Sequence, residues 1–199
     1  MLTLAFDTAT DVATTALVRD SRVCGERRSR AVRILEDIDV LLESAGCRSD
    51  EIDRLVVGTG PGSYTGLRMG LITARTLAFS LGAPVAGVST LIALAAGRPG
   101  AVPVLDARRG EIFTLADGEP RCLRPEKLGV VSGTTYVGDG AVRYRCALEA
   151  AGGVVPEDAS DDHVPWARHH AALARDFRPP DFIEPIYLRV PDAERRLHE

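Results

Sequence analysis

The sequence predicts an α/β protein made of two strand sets separated by a glycine-containing hinge. Three observations carry that expectation. The chain opens on three short apolar strands with turn signals between them. Residues 55–91 then read as strand, glycine-rich turn, long helix, turn and strand. After Gly97-Arg98-Pro99-Gly100 a second strand set begins at Val102.

With 199 residues, the chain can bury one good core or two small lobes. Apolar content of 45% fits a globular protein, and a net charge of −4 disfavours a broad basic surface for nucleic acid. Cys24, Cys47, Cys122 and Cys146 are scattered without metal-ligand spacing, which suits free thiols in a reducing compartment. Met1 leads straight into a strand-like run, and no stretch is apolar enough to span a membrane. A cytoplasmic location is therefore expected.

The opening strands are Leu2–Phe6, Val12–Val18 and Val23–Arg28, with Asp20-Ser21 as the second turn. The first turn, Asp7-Thr8-Ala9-Thr10-Asp11, is rich in carboxylate and hydroxyl. In actin-like and sugar-kinase-like folds such a turn holds an acidic residue near a nucleotide's phosphates and metal. Asp7 and Thr8 are candidates on that ground, though Asp and Thr are also ordinary turn residues. Ala31 to Ala45 has helical spacing, with Ile34, Leu35, Ile38, Leu41, Leu42 and Ala45 on one wide apolar face and Gly46 as a stop. Glu36, Asp37, Asp39 and Glu43 are expected in solvent. Arg27, Arg28, Arg30 and Arg33 read as a solvated basic cluster, or one that meets RNA or an acidic partner.

The central helix, Thr65 to Leu81, carries the most informative pattern. Ser63 or Thr65 can cap its start, and Gly82-Ala83-Pro84 stops it before the next strand. Leu67, Leu71, Ala74, Ala78 and Leu81 share one face, while Met69, Ile72, Thr76 and Phe79 lie nearly opposite. Two apolar faces imply burial on both sides. The second face meets either another helix of this chain or another protein, and periodicity alone does not choose.

Beyond the hinge, Val102–Leu105 and Ile112–Leu115 flank the charged turn Asp106-Ala107-Arg108-Arg109-Gly110-Glu111. Asp106 and Glu111 are a possible acid/base pair, or turn residues paired with Arg108 and Arg109. Gly138-Asp139-Gly140 precedes a helical run, Ala141 to Ala151, and either approaches a ligand or caps that helix through Asp139. An acidic loop follows at Pro156–Asp162, then a helix from Trp166 to Phe177. Pro185-Ile186-Tyr187-Leu188-Arg189 is a short extended run before a charged tail.

No standard catalytic motif is present. The glycine-rich turn lacks the Lys-Ser/Thr of a P-loop, because Gly66 is followed by Leu67 and Arg68. Ser63 lacks the flanking glycine of a nucleophile elbow, and there is no His-Glu-x-x-His. His163, His169, His170 and His198 have no metal-ligand spacing.

The block GTGPGSYTGLRMG (58–70) with GAPVAGVSTL (82–91) closely resembles the bacterial TsaB (YeaZ) family. LAFDTATDVATTALV, LDARRGEIF, VGDGAVRY and PIYLR resemble its other segments in the right order, so the likeness spans nearly the whole chain. Family members often carry a His-Ser pair before the first helix, where this chain has Arg30-Ala31-Val32-Arg33. The resemblance implies an actin-like (sugar kinase/Hsp70/actin) fold with a full first lobe, residues 1–101, and a reduced second lobe, residues 102–199. It implies a non-catalytic subunit that supports transfer of threonylcarbamoyl from threonylcarbamoyl-AMP to N6 of the adenosine beside the anticodon. The tRNAs concerned read codons that begin with A.

On that resemblance the chain pairs with a catalytic TsaD-type subunit, an ATPase of TsaE type joins, and tRNA is met only through the complex. ATP, Mg and the catalytic metal are expected in those partners and no cofactor in this chain, whose Asp7, Thr8, Asp106 and Asp139 are left as vestigial ligand-turn positions. Ile34, Ile38, Leu41, Met69, Ile72, Thr76 and Phe79 are expected to form the partner surface, which can self-associate when the partner is absent. The rival expectations are a stand-alone ATP-dependent phosphotransferase using Asp7, Thr8, Asp106 and Asp139, and a peptidase.

Overall fold

A computed structural model describes residues 1–189. The charged tail beyond them lies outside the described residues. The first sheet holds β1 (Leu2–Asp7), β2 (Ala13–Arg19), β3 (Arg22–Ser29), β4 (Ile52–Gly58) and β5 (Val85–Val88). Its order is β3-β2-β1-β4-β5, antiparallel among β1 to β3 and parallel from β1 through β4 to β5. The three opening strands thus form as expected. β1 sits centrally, and all six of its residues are buried.

Strand alternation divides the side chains between two helix layers. Leu2, Leu4, Phe6, Leu55 and Val57 point into one core, where α1 (Ile34–Ser44) and α2 (Tyr64–Leu81) cover the sheet. Ala5, Ala16, Val56 and Ala86 point the other way, against α6 (Ala167–Leu173). These residues are small, so α6 lies close to the strands.

A second sheet holds β6 (Val102–Arg108), β7 (Glu111–Ala116), β8 (Glu119–Leu123) and β9 (Tyr136–Val137), in the order β8-β7-β6-β9. β6, β7 and β8 pair antiparallel and β9 joins β6 parallel. The second sheet therefore repeats the first with the fifth strand missing. α3 (Thr90–Gly97) links the two, and α4 (Asp139–Arg143) and α5 (Arg145–Ala150) follow β9.

Several expectations are corrected. Ile34, Ile38 and Leu41 are buried against β2 and β3, so they are core rather than partner surface. In their place Val32 and Leu35 are the exposed apolar residues of that segment. Asp37, expected in solvent, is buried: Arg27 Nε donates to it at 2.7 Å, and Ser29 Oγ donates to its other oxygen. The helix expected over 141–151 breaks at Tyr144 (φ −104°) into α4 and α5. α6 ends at Leu173 rather than Phe177, because the chain then extends to exchange two hydrogen bonds with Val85 through Arg178. Residues 102–199 were expected in the second lobe, yet α6 from that stretch packs on β1, β2 and β4 of the first.

Candidate functional site

The glycine-rich loop and the Asp7 turn are built against each other. Ser63 caps α2 by accepting from the Gly66 N–H at 3.3 Å, and its own N–H donates to the Ala9 carbonyl at 2.7 Å. The glycines are needed for this approach. A Cβ at Gly62 would stand 2.2 Å from the Ala9 carbonyl oxygen, and one at Gly66 would stand 2.1 Å from that of Thr8. Thr8 Oγ1 donates to the Gly66 carbonyl at 2.7 Å. The turn thus reaches across onto the start of α2, and glycine is the only residue that admits it.

Asp7 is wholly enclosed. It accepts from the Ala9 N–H at 2.6 Å and from Thr90 Oγ1 at 2.6 Å, and it faces His170 Nε2 of α6 at 2.7 Å. The other ring nitrogen of His170 lies 3.2 Å from the Trp166 carbonyl. Each ring nitrogen of His170 thus faces an oxygen, which ties α6 to the first turn. Burial by itself would raise the Asp7 carboxyl. The charge of His170 and the three hydrogen bonds outweigh it and hold the carboxyl below its ordinary value. Asp7 and Thr8 are thus spent on the chain's own folding, and neither opens to solvent.

The carboxylates that do meet a cavity are different ones. A cleft of about 450 Å³ lies between the lobes, and Asp11, Asp106, Arg108 and Asp139 line it. Asp106, with 4% of its side chain exposed, faces Arg108 Nη1 at 3.2 Å and Arg143 Nη1 at 3.3 Å. Arg108 reaches across the cleft to Asp11 at 2.6 Å, joining the lobes. Asp139 accepts from the Asp106 N–H at 2.9 Å instead of capping α4, whose N-cap is Gly138. Burial raises the Asp139 carboxyl; the Asp106 N–H opposes that, and the Asp106 charge adds to it. Glu111 pairs with Arg189 at 2.8 Å and not with Asp106.

Of the four expected ligand-turn residues, the structure brings Asp106 and Asp139 together and turns Asp7 and Thr8 away from them. Asp11 and His170 are functional positions that the sequence alone does not mark. Asp11 stood in the same turn as Asp7 but carried no distinguishing signal, and His170 is 163 residues from Asp7 in sequence.

The extended run 183–189 closes the other side of the cleft. Arg75 donates to the Ile183 carbonyl, and the Ile186 N–H donates to the Thr59 carbonyl at 2.8 Å. Ile183 enters the first core, and Leu188 packs on the cluster of Leu91, Leu94, Leu105 and Phe113. This run is a strap that joins both lobes and is not a strand. Opposite the sheet, the outer face of α2 is open: Ile72 is 62% exposed and Phe79 is 84% exposed. Thr76 is exposed beside them and Met69 is half-buried.

Two sheets of related order, one reduced, with a cleft between them define an α/β protein of the actin-like class. Comparison with known proteins sharpens that. Residues 26–128 match the family model described as TsaD, tRNA N6-adenosine threonylcarbamoyltransferase. The TsaB protein of Bacillus subtilis is 39% identical over 123 residues, covering 57% of this chain and 54% of that protein. An uncharacterized protein of Mycobacterium tuberculosis is 35% identical over 208 aligned positions, covering 96% of this chain and 93% of that one. The solved structure of YeaZ from Pseudomonas aeruginosa superposes with a TM-score of 0.77 at 27% identity, covering 94% of this chain and 99% of that one. The match spans about half the length of the Bacillus relative and nearly all of the mycobacterial one. This chain belongs to the TsaB (YeaZ) family.

Proposed function

We propose that this chain is the supporting, non-catalytic subunit of a cytoplasmic complex that makes threonylcarbamoyladenosine in tRNA, paired with a TsaD-type catalytic subunit. The observation that carries this reading is the outer face of α2. The inner face, Leu67, Leu71, Ala74 and Ala78, is fully packed on the sheet, while Ile72 and Phe79 stand in water. Apolar side chains grouped on one helix face in this way suit a protein partner.

The surface extends sideways. The short turns 31–33 and 180–182 both pack against α2, contributing exposed Val32 and Phe182. The proposed interface is therefore Val32, Leu35, Met69, Ile72, Thr76 and Phe79 with Phe182 at its edge, and Ile34, Ile38 and Leu41 act from beneath as core. A TsaE-type ATPase joins the pair, and the same face self-associates when the partner is absent.

The non-catalytic part of the reading is supported by Asp7. In a phosphotransferase of this fold the first turn would point its carboxylate into the cleft; here it faces His170. The test is threonylcarbamoylation of tRNA by the same organism's catalytic subunit and ATPase. Threonine, bicarbonate, ATP and the adenylate-forming enzyme are supplied, and this chain is added or omitted. Activity that requires this chain, with a co-eluting complex, is the expected result. Full activity without it, and no complex, would overturn the reading.

A further inference from the structure

At the rim of the interlobe cleft three side chains form a stacked ladder. The Arg68 guanidinium lies 4.4 Å above the Tyr64 ring centre, and the Tyr64 and Tyr187 rings are 5.5 Å apart with planes inclined at 32°. Both rings face solvent in good part, 40% of Tyr64 and 44% of Tyr187 being exposed. The guanidinium of Arg68 is stacked and has no carboxylate partner among the described residues. Its charge is thus available to an incoming anion.

The ladder is held from two directions. Tyr64 is the first residue of α2, fixed by the Ser63 cap. Tyr187 sits on the strap between Ile186, whose N–H is bonded to Thr59, and Leu188 in the second lobe's core. Flat aromatic planes on rigid backbone beside an unneutralised guanidinium match an unpaired base and its phosphate. Stacking recognises any base by its π-face, and arginine meets the phosphate. A latch that merely fastened the strap would be served by apolar contact alone, and Ile183 and Leu188 already supply it.

We propose that Arg68, Tyr64 and Tyr187 form a stacking platform for an unpaired RNA base, with Arg68 on the neighbouring phosphate. This rests on the proposed role in tRNA modification and names where this chain would touch the RNA. A contact needing only one base and one phosphate is compatible with the chain's net negative charge, because the basic surface required is local.

The test uses the assembled complex of this chain with its catalytic partner and an unmodified tRNA transcript as probe. RNA affinity, its salt dependence and heterodimer affinity are measured on the same preparations. Tyr187→Ala and Tyr64→Ala are expected to weaken RNA binding about tenfold, as loss of one stacked base does, while Tyr187→Phe retains it. Arg68→Gln, an exposed change that leaves the core intact, should lower the slope of log affinity against log salt by about 0.7, one single-strand phosphate contact. Unchanged RNA affinity and salt slope in Arg68→Gln would overturn the proposal even if the tyrosine variants fail to fold. Loss of heterodimer with RNA affinity per complex intact would also overturn it and assign the ladder to protein contact. Failure of the wild-type pair to assemble would instead reject the proposed function on which it rests.

Discussion

The two sides of α2 are similar in apolar content and opposite in fate. Toward the sheet, Leu67, Leu71, Ala74 and Ala78 are buried, and beyond them the Asp7 turn is locked by His170, Thr90 and the glycine loop. Toward solvent, Ile72, Thr76 and Phe79 touch little of their own chain. The difference teaches that the Asp7 turn is consumed by the fold, whereas the apolar excess of α2 is left on an outward face. Stability should therefore reside on one side of the helix and association on the other.

The largest stability effect is expected at Asp7. Asp7→Asn removes the charge facing His170 and should cost about 3 kcal/mol near neutral pH, read from urea unfolding. Because the Asp7 carboxyl is held below its ordinary 3.8, its contribution is complete above that pH and fades as pH falls through the lowered value. The gap between wild type and variant should then narrow below about pH 4. A gap that stays constant there would mean that the ion pair contributes nothing.

Next in size is the direct contrast of faces. Leu71→Ala should lose about 3 kcal/mol of stability, whereas Phe79→Ala should change it by no more than about 0.5 kcal/mol. Equal losses would erase the distinction drawn here. Smallest is the bridge across the cleft. Arg108 is more than half exposed, as is Asp11, so Arg108→Ala should shift stability by under about 1 kcal/mol. A larger loss would make the Asp11–Arg108 contact a true clasp between lobes.

Much of this was legible in the sequence, for definite reasons. The strand-like run Leu2–Phe6 and the short apolar run Leu55–Val57 announced strands, and Ser63 and Gly82 bracketed α2, where Gly82 takes the left-handed conformation (φ 64°) as its C-cap. The errors came where distance in sequence hid proximity in space. The helical wheel of residues 31–45 showed one wide apolar face but not that β2 and β3 would cover Ile34, Ile38 and Leu41. Asp37 looked solvated because Arg27 and Ser29, which enclose it, lie on a neighbouring strand. Asp7 and Asp106 were indistinguishable as acidic residues at strand ends. One became wholly enclosed because α6 returns to the first sheet with His170, and the other stays at the cleft wall, where its partners Arg108 and Arg143 are themselves more than half exposed.

The central claim is that the outer face of α2 serves association and not folding. Its most direct test is the affinity of Phe79→Asp, with Ile72→Asp beside it, for the TsaD-type subunit, measured by calorimetry on variants whose unfolding midpoints are also recorded. A loss of about a hundredfold in affinity at unchanged stability is the predicted result, in keeping with removal of a central apolar contact. Wild-type affinity in both folded variants would contradict the account.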